Sequence, residues 1–201
     1  MSKAISANVG GSYQQAKASY VNVNGTWTKF GGGLSWATVS NTPTGTYTGD
    51  DGHTYAYYLF ESDGTLTVTT AGLLEVLLVS GGGGGIDVSI GPLPGVGGYI
   101  VSGMHSFAAD TLPVTVGKPG KFGSGKYFAT PSTLGNLATG SGGYGQGGAG
   151  PNRGTYVSTI TGTPLHVSGR TDNNPTPQYG GGAAPGGGGQ PGVVIAKTRL
   201  N

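Results

Sequence analysis

The chain has 201 residues, of which 44 are glycine and 12 proline, with no cysteine, 9% charged residues and a formal net charge of +2. Each interior glycine costs a helix about 1 kcal/mol relative to alanine, so this composition argues against long helices and against a conventional α/β enzyme. Charge this sparse cannot neutralise a run of phosphates, and without cysteine there is neither a disulfide framework nor a thiolate metal site.

The opening residues, MSKAISANVGG, lack the apolar centre of a signal peptide. The longest apolar stretch, LLEVLLV at 73–79, is too short for a bilayer and carries Glu75 in its middle, so no membrane insertion is expected and synthesis is placed in the cytoplasm. Residues 1–33 hold a short repeat, in which Val9-Gly10-Gly11-Ser12-Tyr13 aligns with Val23-Asn24-Gly25-Thr26-Trp27. Each copy predicts a β-hairpin closed by a Gly-Gly or Asn-Gly turn. A pair of such small hairpins cannot bury its own aromatic faces, which makes residues 1–33 an expected attachment or oligomerisation arm. Tyr13, Trp27 and Trp36 are the candidates for assembly contacts.

Residues 34–80 read as a β-rich neck. Asp50-Asp51-Gly52-His53 is the densest cluster of ionisable groups, but it lacks the alternating oxygen ligands of a calcium loop and reads as a turn, so no metal is expected. TYAYYLF (54–60), ESDG (61–64) and TLTVTT (65–70) together predict a hairpin, after which Ala71-Gly72 turns the chain into LLEVLLVS (73–80).

The remaining residues, 81–201, form the expected glycine-rich domain. Residues 81–103 hold 10 glycines, 140–154 hold 8 and 180–192 hold 8, with no three-residue period, which excludes a collagen-like triple helix. LLEVLLVSGGGGG resembles the strand and loop of a dinucleotide site only superficially, because the IDVSIGPLPG that follows cannot form the helix that would hold a pyrophosphate. GKFGSGKY at 120–127 fits a phosphate loop until Tyr127, where a Ser or Thr is needed, and Pro131 interrupts the helix that should follow. No cofactor is expected. TLPVTV (111–116), with Leu112, Val114 and Val116 on one face, YVSTI (156–160), PLHV (164–167) and VVIAKTRL (193–200) read as further strands.

Fixing a glycine costs more backbone entropy than fixing any other residue, so ordered tracts need a compensating interaction. Close packing of extended left-handed polyglycine-II helices, each bonding its neighbours through backbone amides, would supply it. The expected fold is therefore all-β with polyglycine-II helices: small N-terminal hairpin repeats, a β-rich neck and a glycine-rich sandwich, with almost no α-helix. Tyr99, His105, Phe107, Tyr144, Tyr156, His166, Arg170 and Tyr179 lie in or beside the tracts. They have two readings, as recognition anchors on loops held by a rigid stack, or as caps that exclude water from its ends. Nothing nominates a catalytic group, and no enzyme is expected.

In order along the chain, GTLTVTTAGLLEVLLVSGGGGG (64–85), TLPVTVGKPG (111–120), STLGNLATGSGG (132–143), STITGTPLHVSG (158–169) and GGGAAPGGGGQPGVVIAKTRL (180–200) resemble the glycine-rich domain of bacteriophage minor tail proteins and tail-fibre adhesins, as found in phages of actinobacteria. The V-x-G-[ST]-W pattern is also similar to repeats at the start of phage tail proteins. IDVSIGPLPG and RTDNNPTPQY interrupt the glycine where that family has longer continuous runs. The resemblance implies a non-enzymatic virion protein at the tail tip or on a fibre, commonly a homotrimer. Its implied partners are other tail or virion proteins and a host cell-envelope glycan or surface protein. A structural decoration or head-fibre protein without a receptor, a glycine-stack protein that binds ice or a matrix, and a glycan-cleaving enzyme are the alternatives; the absence of a carboxylate pair in the glycine-rich domain argues against the last.

Overall fold

A computed structural model of the protein describes residues 6–9, 12–15, 19–23, 26–30, 35–88, 91–122, 128–140, 155–169 and 177–200. The chain divides into two compact units, Met1–Ser35 and Trp36–Asn201. Among the described residues the fold is all-β, without a helix, and no helix is long and apolar enough to cross a membrane.

In the first unit β1 (Ser6–Val9) pairs antiparallel with β2 (Ser12–Gln15), and β3 (Ser19–Val23) with β4 (Thr26–Phe30). Val9 lies opposite Ser12 and Val23 opposite Thr26; the Gly10-Gly11 and Asn24-Gly25 turns expected from the sequence lie outside the described residues.

The second unit continues with β5 (Thr38–Val39), β6 (Gly45–Thr48), β7 (Thr54–Phe60), β8 (Gly64–Thr70) and β9 (Gly72–Val79). A small pair, β10 (Ile86–Val88) with β11 (Gly91–Leu93), precedes β12 (Ile100–Phe107) and β13 (Asp110–Thr115). The chain closes with β14 (Thr133–Leu134), β15 (Leu137–Ala138), the pair β16 (Tyr156–Ser158) and β17 (Leu165–Val167), and β18 (Val193–Arg199). Two five-stranded antiparallel sheets result, one in the order β12-β9-β18-β7-β6 and the other β15-β14-β13-β8-β5. Both draw strands from either side of residue 80, so the neck and the glycine-rich region share one sandwich.

One expected pairing is corrected. β7 and β8 do not form a hairpin: β7 lies between β18 and β6, whereas β8 lies between β13 and β5 in the opposite sheet. Each strand has an apolar face, Ala56 and Tyr58 on one and Leu66 and Val68 on the other, and placing them in facing sheets points both faces into a shared core. The ESDG connection makes the corner, where Asp63 Oδ1 accepts the Val116 N–H at 2.8 Å.

Alternation along β9 explains its nearly unbroken apolar run. Leu74, Val76 and Leu78 enter the core between the sheets, while Leu77 and Val79 face the other way and pack with Val193, Ile195, Ile160, Leu165 and Val167 beneath the β16–β17 pair. A strand covered on both faces needs apolar residues at consecutive positions. At about 25 cal/mol per Å² of apolar surface removed from water, these two clusters are the main side-chain contribution to stability.

Beyond β9 the sheet gives way to a lattice of backbone bonds. Residues 81–85 are buried throughout. Gly82 donates to Gln190 O at 2.9 Å and accepts from Gly120 N at 2.8 Å; Gly83 donates to Val96 O at 2.8 Å and accepts from Ala183 N at 2.9 Å; Gly85 donates to Gly187 O at 2.9 Å. A sheet strand bonds two neighbours, whereas this segment bonds the stretches around 96, 120, 183 and 187–190. Side chains would obstruct such proximity, since a Cβ on Gly82 would stand 2.0 Å from Gly181 O and one on Gly95 2.0 Å from Gly83 O. Backbone amides thus do here what side chains do in the two apolar clusters, satisfying buried polar groups while filling space.

Ser132 ties the lattice to the sandwich. Fully buried, it donates from Oγ to Val79 O at 2.6 Å and accepts the Gly117 N–H at 2.8 Å. Alanine would remove both bonds and leave the buried Gly117 N–H without its partner, and Ser132→Ala is expected to cost about 2 kcal/mol. Urea unfolding checks this as a lower midpoint at unchanged slope.

Candidate functional site

Two of the residues nominated from sequence, His105 and Phe107, meet in a cavity at one margin of the sandwich. β12 is an edge of the first sheet and β15 an edge of the second, and the Ala108-Ala109 connection carries the chain from one to the other. Alternation on β12 sends Val101 and Phe107 towards the core. Leu134 pairs with Leu137 across a two-residue Gly135-Asn136 turn, where Gly135 has a φ of 57° that glycine adopts without strain. The open cavity of about 390 Å³ is lined by His105, Phe107, Asp110, Leu112, Asn136 and Leu137, with Ser106 and Ala108 completing it. Phe107, Leu112 and Leu137 give it an apolar floor continuous with the core. Asp110 Oδ1 accepts the Thr111 N–H at 2.7 Å. Among the described residues no hydrogen bond engages the side chains of His105 or Asn136, so the cavity offers polar groups above an apolar base.

The other nominated residues are dispersed. Tyr99 is half-buried where the lattice begins, its N–H bonded to Ser80 Oγ at 2.8 Å and its carbonyl accepting the Ser80 N–H at 2.9 Å. The Tyr156 hydroxyl lies 3.4 Å from Ser102 Oγ, tying β16 to β12. His166 stands opposite Val157 in the β16–β17 register, and its Nδ1 is buried without a hydrogen-bond partner among the described residues. Tyr179 packs on the apolar cluster beneath that pair. Tyr144 and Arg170 lie outside the described residues. Tyr13 falls in β2 and Trp27 in β4, and Trp36 packs edge-on against Tyr55 with ring centroids 5.6 Å apart.

Tyr179 gives the protein a sensitivity to alkali. Its hydroxyl donates to Glu61 Oε1 at 2.6 Å, and burial, with that bond and the Glu61 charge, pushes the phenol from 10.0 to about 12. From pH 10 towards 12 the folded protein keeps a proton that the unfolded chain has lost, so stability falls as pH rises through that window. Tyr179→Phe is expected to remove about 1 kcal/mol of the alkaline loss, water around the half-buried ring moderating the effect. Urea midpoints at pH 9 and 11, compared between the two proteins, test this.

A second cavity, of about 400 Å³, was not legible as a site in the sequence. It is lined by Tyr47, Thr48, Gly49, Asp50, Asp51, Tyr55, Thr159, Gly162 and Lys197. Pairing register assembles it: Tyr47 lies opposite Tyr55 across β6 and β7, and Lys197 lies between Tyr57 of β7 and Glu75 of β9. Lys197, only 9% exposed, forms an ion pair with Glu75 and donates to the Tyr47 hydroxyl at 3.3 Å. Its ammonium also stands 4.7 Å from the centre of the Tyr55 ring. Burial pulls the Lys197 ammonium down, but the Glu75 hydrogen bond and charge outweigh it and, with Tyr47, hold the group above its ordinary value.

Asp51 anchors the opposite wall. Its Oδ1 accepts the His53 N–H at 3.1 Å and its Oδ2 accepts the Tyr55 hydroxyl. The Tyr55 bond, followed by that of His53, lowers the Asp51 carboxyl below the usual range, and the same Tyr55–Asp51 bond raises the phenol. The Asp-Asp-Gly sequence thus makes a turn whose carboxylate is fixed in orientation. Among the described residues no group of three or more His, Cys, Asp or Glu is placed to hold a metal ion.

No protein-family model matches the chain, and no curated protein is significantly similar to it.

Proposed function

We propose that the protein is a non-enzymatic structural component of a phage tail, a minor tail protein or fibre, that assembles at the tail tip and presents loops for host-surface binding. One observation supports this reading above others: blocks that carry the resemblance to phage glycine-rich domains are those that interlock. β9 runs into residues 81–85, which bond to Gly120 after β13 and to 187–190 before β18. We further propose that these tracts pack as polyglycine-II helices, which accounts for one segment bonding neighbours in several directions. In this reading the first unit joins sister chains, as a homotrimer, or other tail proteins, and the His105–Phe107 cavity contacts the host surface.

Immunogold electron microscopy of virions tests the location, with label expected at the tail tip or along a fibre. Label confined to the head, or none on the particle, defeats the tail reading. Purified protein added in excess should slow phage adsorption, and the His105→Ala/Asn136→Ala variant should do so less. Adsorption unaffected by the unaltered protein removes the receptor role and favours a decoration protein.

A further inference from the structure

We infer that the cavity between the β6–β7 turn and the β16–β17 turn is a binding site for an uncharged saccharide. The inference adds a ligand class and a second place on the molecule to the attachment reading, and is tested on the isolated chain so that either can fail without the other.

Size and shape come first. About 400 Å³ lies within the range of roughly 300–1,000 Å³ in which small-molecule sites fall. The walls are fixed before any ligand arrives: the Tyr47 and Tyr55 rings stack with centroids 5.6 Å apart, Gly162 lies so close that a Cβ there would stand 2.6 Å from the Tyr47 ring, and Trp36 braces Tyr55 edge-on. A preformed wall spares a ligand the entropy of ordering its site.

Charge then selects among ligand classes. An anion would approach Asp50 and Asp51 across the opening, and the Lys197 ammonium, the one cationic side chain among the described lining residues, is already paired with Glu75. An organic cation would find both ring faces already served by the Lys197 ammonium, 4.7 Å from the centre of Tyr55 and 5.9 Å from that of Tyr47, and so no open aromatic face to stack on. A metal ion would lack a third carboxylate or imidazole among the described residues. A neutral polyhydroxylated ring meets none of these objections. Its hydroxyls can donate to the oriented Asp51 carboxylate and exchange hydrogen bonds with Thr48 and Thr159, while its C–H groups pack on the part of Tyr47 that Tyr55, Gly162 and Lys197 leave open. Hydrogen bonds to an ionised group are the stronger kind, and both Asp51 oxygens retain accepting capacity beyond the His53 and Tyr55 bonds.

The test is saturation-transfer NMR on the full chain with D-glucose, D-galactose, L-rhamnose and N-acetyl-D-glucosamine, each at millimolar concentration, with N-acetylneuraminic acid and choline as charged probes. Trp36 supplies a second readout: in a W27F background its emission should shift as sugar fills the cavity beside Tyr55. At least one neutral sugar is expected to bind and to shift that emission, with Asp51→Asn weakening binding about tenfold. Thr159→Ala, an exposed turn substitution that leaves the Asp51–Tyr55 bond in place, should weaken it by a smaller factor. Binding by none of the four sugars, binding of the charged probes alone, or sugar binding unchanged in both variants overturns the inference.

Discussion

Gly82→Ala is expected to destabilise the protein by about 3 kcal/mol. The Cβ would stand 2.0 Å from Gly181 O, and the obstructing atoms are backbone, which cannot rotate away as a side chain does. Retreat of either segment would stretch the bonds that Gly82 makes to Gln190 and Gly120. Gly188 is the matched control. Its added Cβ would meet nothing nearer than Gly120 O at 3.8 Å, and its φ lies outside the left-handed region, so Gly188→Ala should be neutral or stabilise by up to about 0.5 kcal/mol through a less flexible unfolded chain. Urea midpoints for both variants decide the matter. Equal, small effects would mean that the tracts yield easily and do not form a close-packed lattice.

The all-β class was legible because the strand segments are short, β-branched and punctuated by turns. The inward alternation of Leu112, Val114 and Val116 and the start of β18 could be read directly, the strand ending at Arg199, one residue before the expected limit. Partners were harder. TYAYYLF-ESDG-TLTVTT carries every local signal of a hairpin, yet the choice between pairing and facing depends on a core assembled from strands remote in sequence. β12 was passed over because Gly103 and the tract before it mask its alternation; the structure absorbs that glycine at a φ of 133° within an otherwise regular pairing to β9.

The candidate sites show the same division. His105 and Phe107 were nominated because they follow a tract, and they do share a cavity, but Leu112 and Asn136 join them only through sheet pairing. Tyr156 and Tyr179 carry the same amphipathic signal and are used to fasten β16 to β12 and to hold Glu61. Side-chain type alone does not separate an anchor for a ligand from an anchor for the fold. In the second cavity, Asp51 and Lys197 stand far apart in the chain, and the register of β18 with β7 and β9 is what brings lysine, glutamate and tyrosines together.

That register also sets the second large effect. Replacing Glu75 with leucine should cost about 2 kcal/mol at pH 7, because the Lys197 ammonium would remain buried with only the Tyr47 hydroxyl and the Tyr55 ring to hold it. The figure lies below the 3–5 kcal/mol typical of breaking a fully buried pair, since the Glu75 side chain is 35% exposed and water can enter as it leaves. The double variant Glu75→Leu/Lys197→Met should recover most of that loss, as apolar replacements of buried ion pairs commonly do. The pH response separates this account from a simple packing defect. In the unaltered protein Lys197 titrates above its usual value, so its contribution is complete below about 10.5 and is lost as pH rises through the higher folded value. In Glu75→Leu, burial acts without its counterweight and pulls Lys197 below its unfolded value, so the folded state sheds a proton that the unfolded chain keeps. Stability attributable to this group then rises with pH. The destabilisation should therefore shrink between pH 7 and 10, while Asp51, Tyr55 and Arg199 nearby remain the same in both proteins. Urea midpoints across that range check the sign, and a constant difference would show that Glu75 acts by packing rather than by charge.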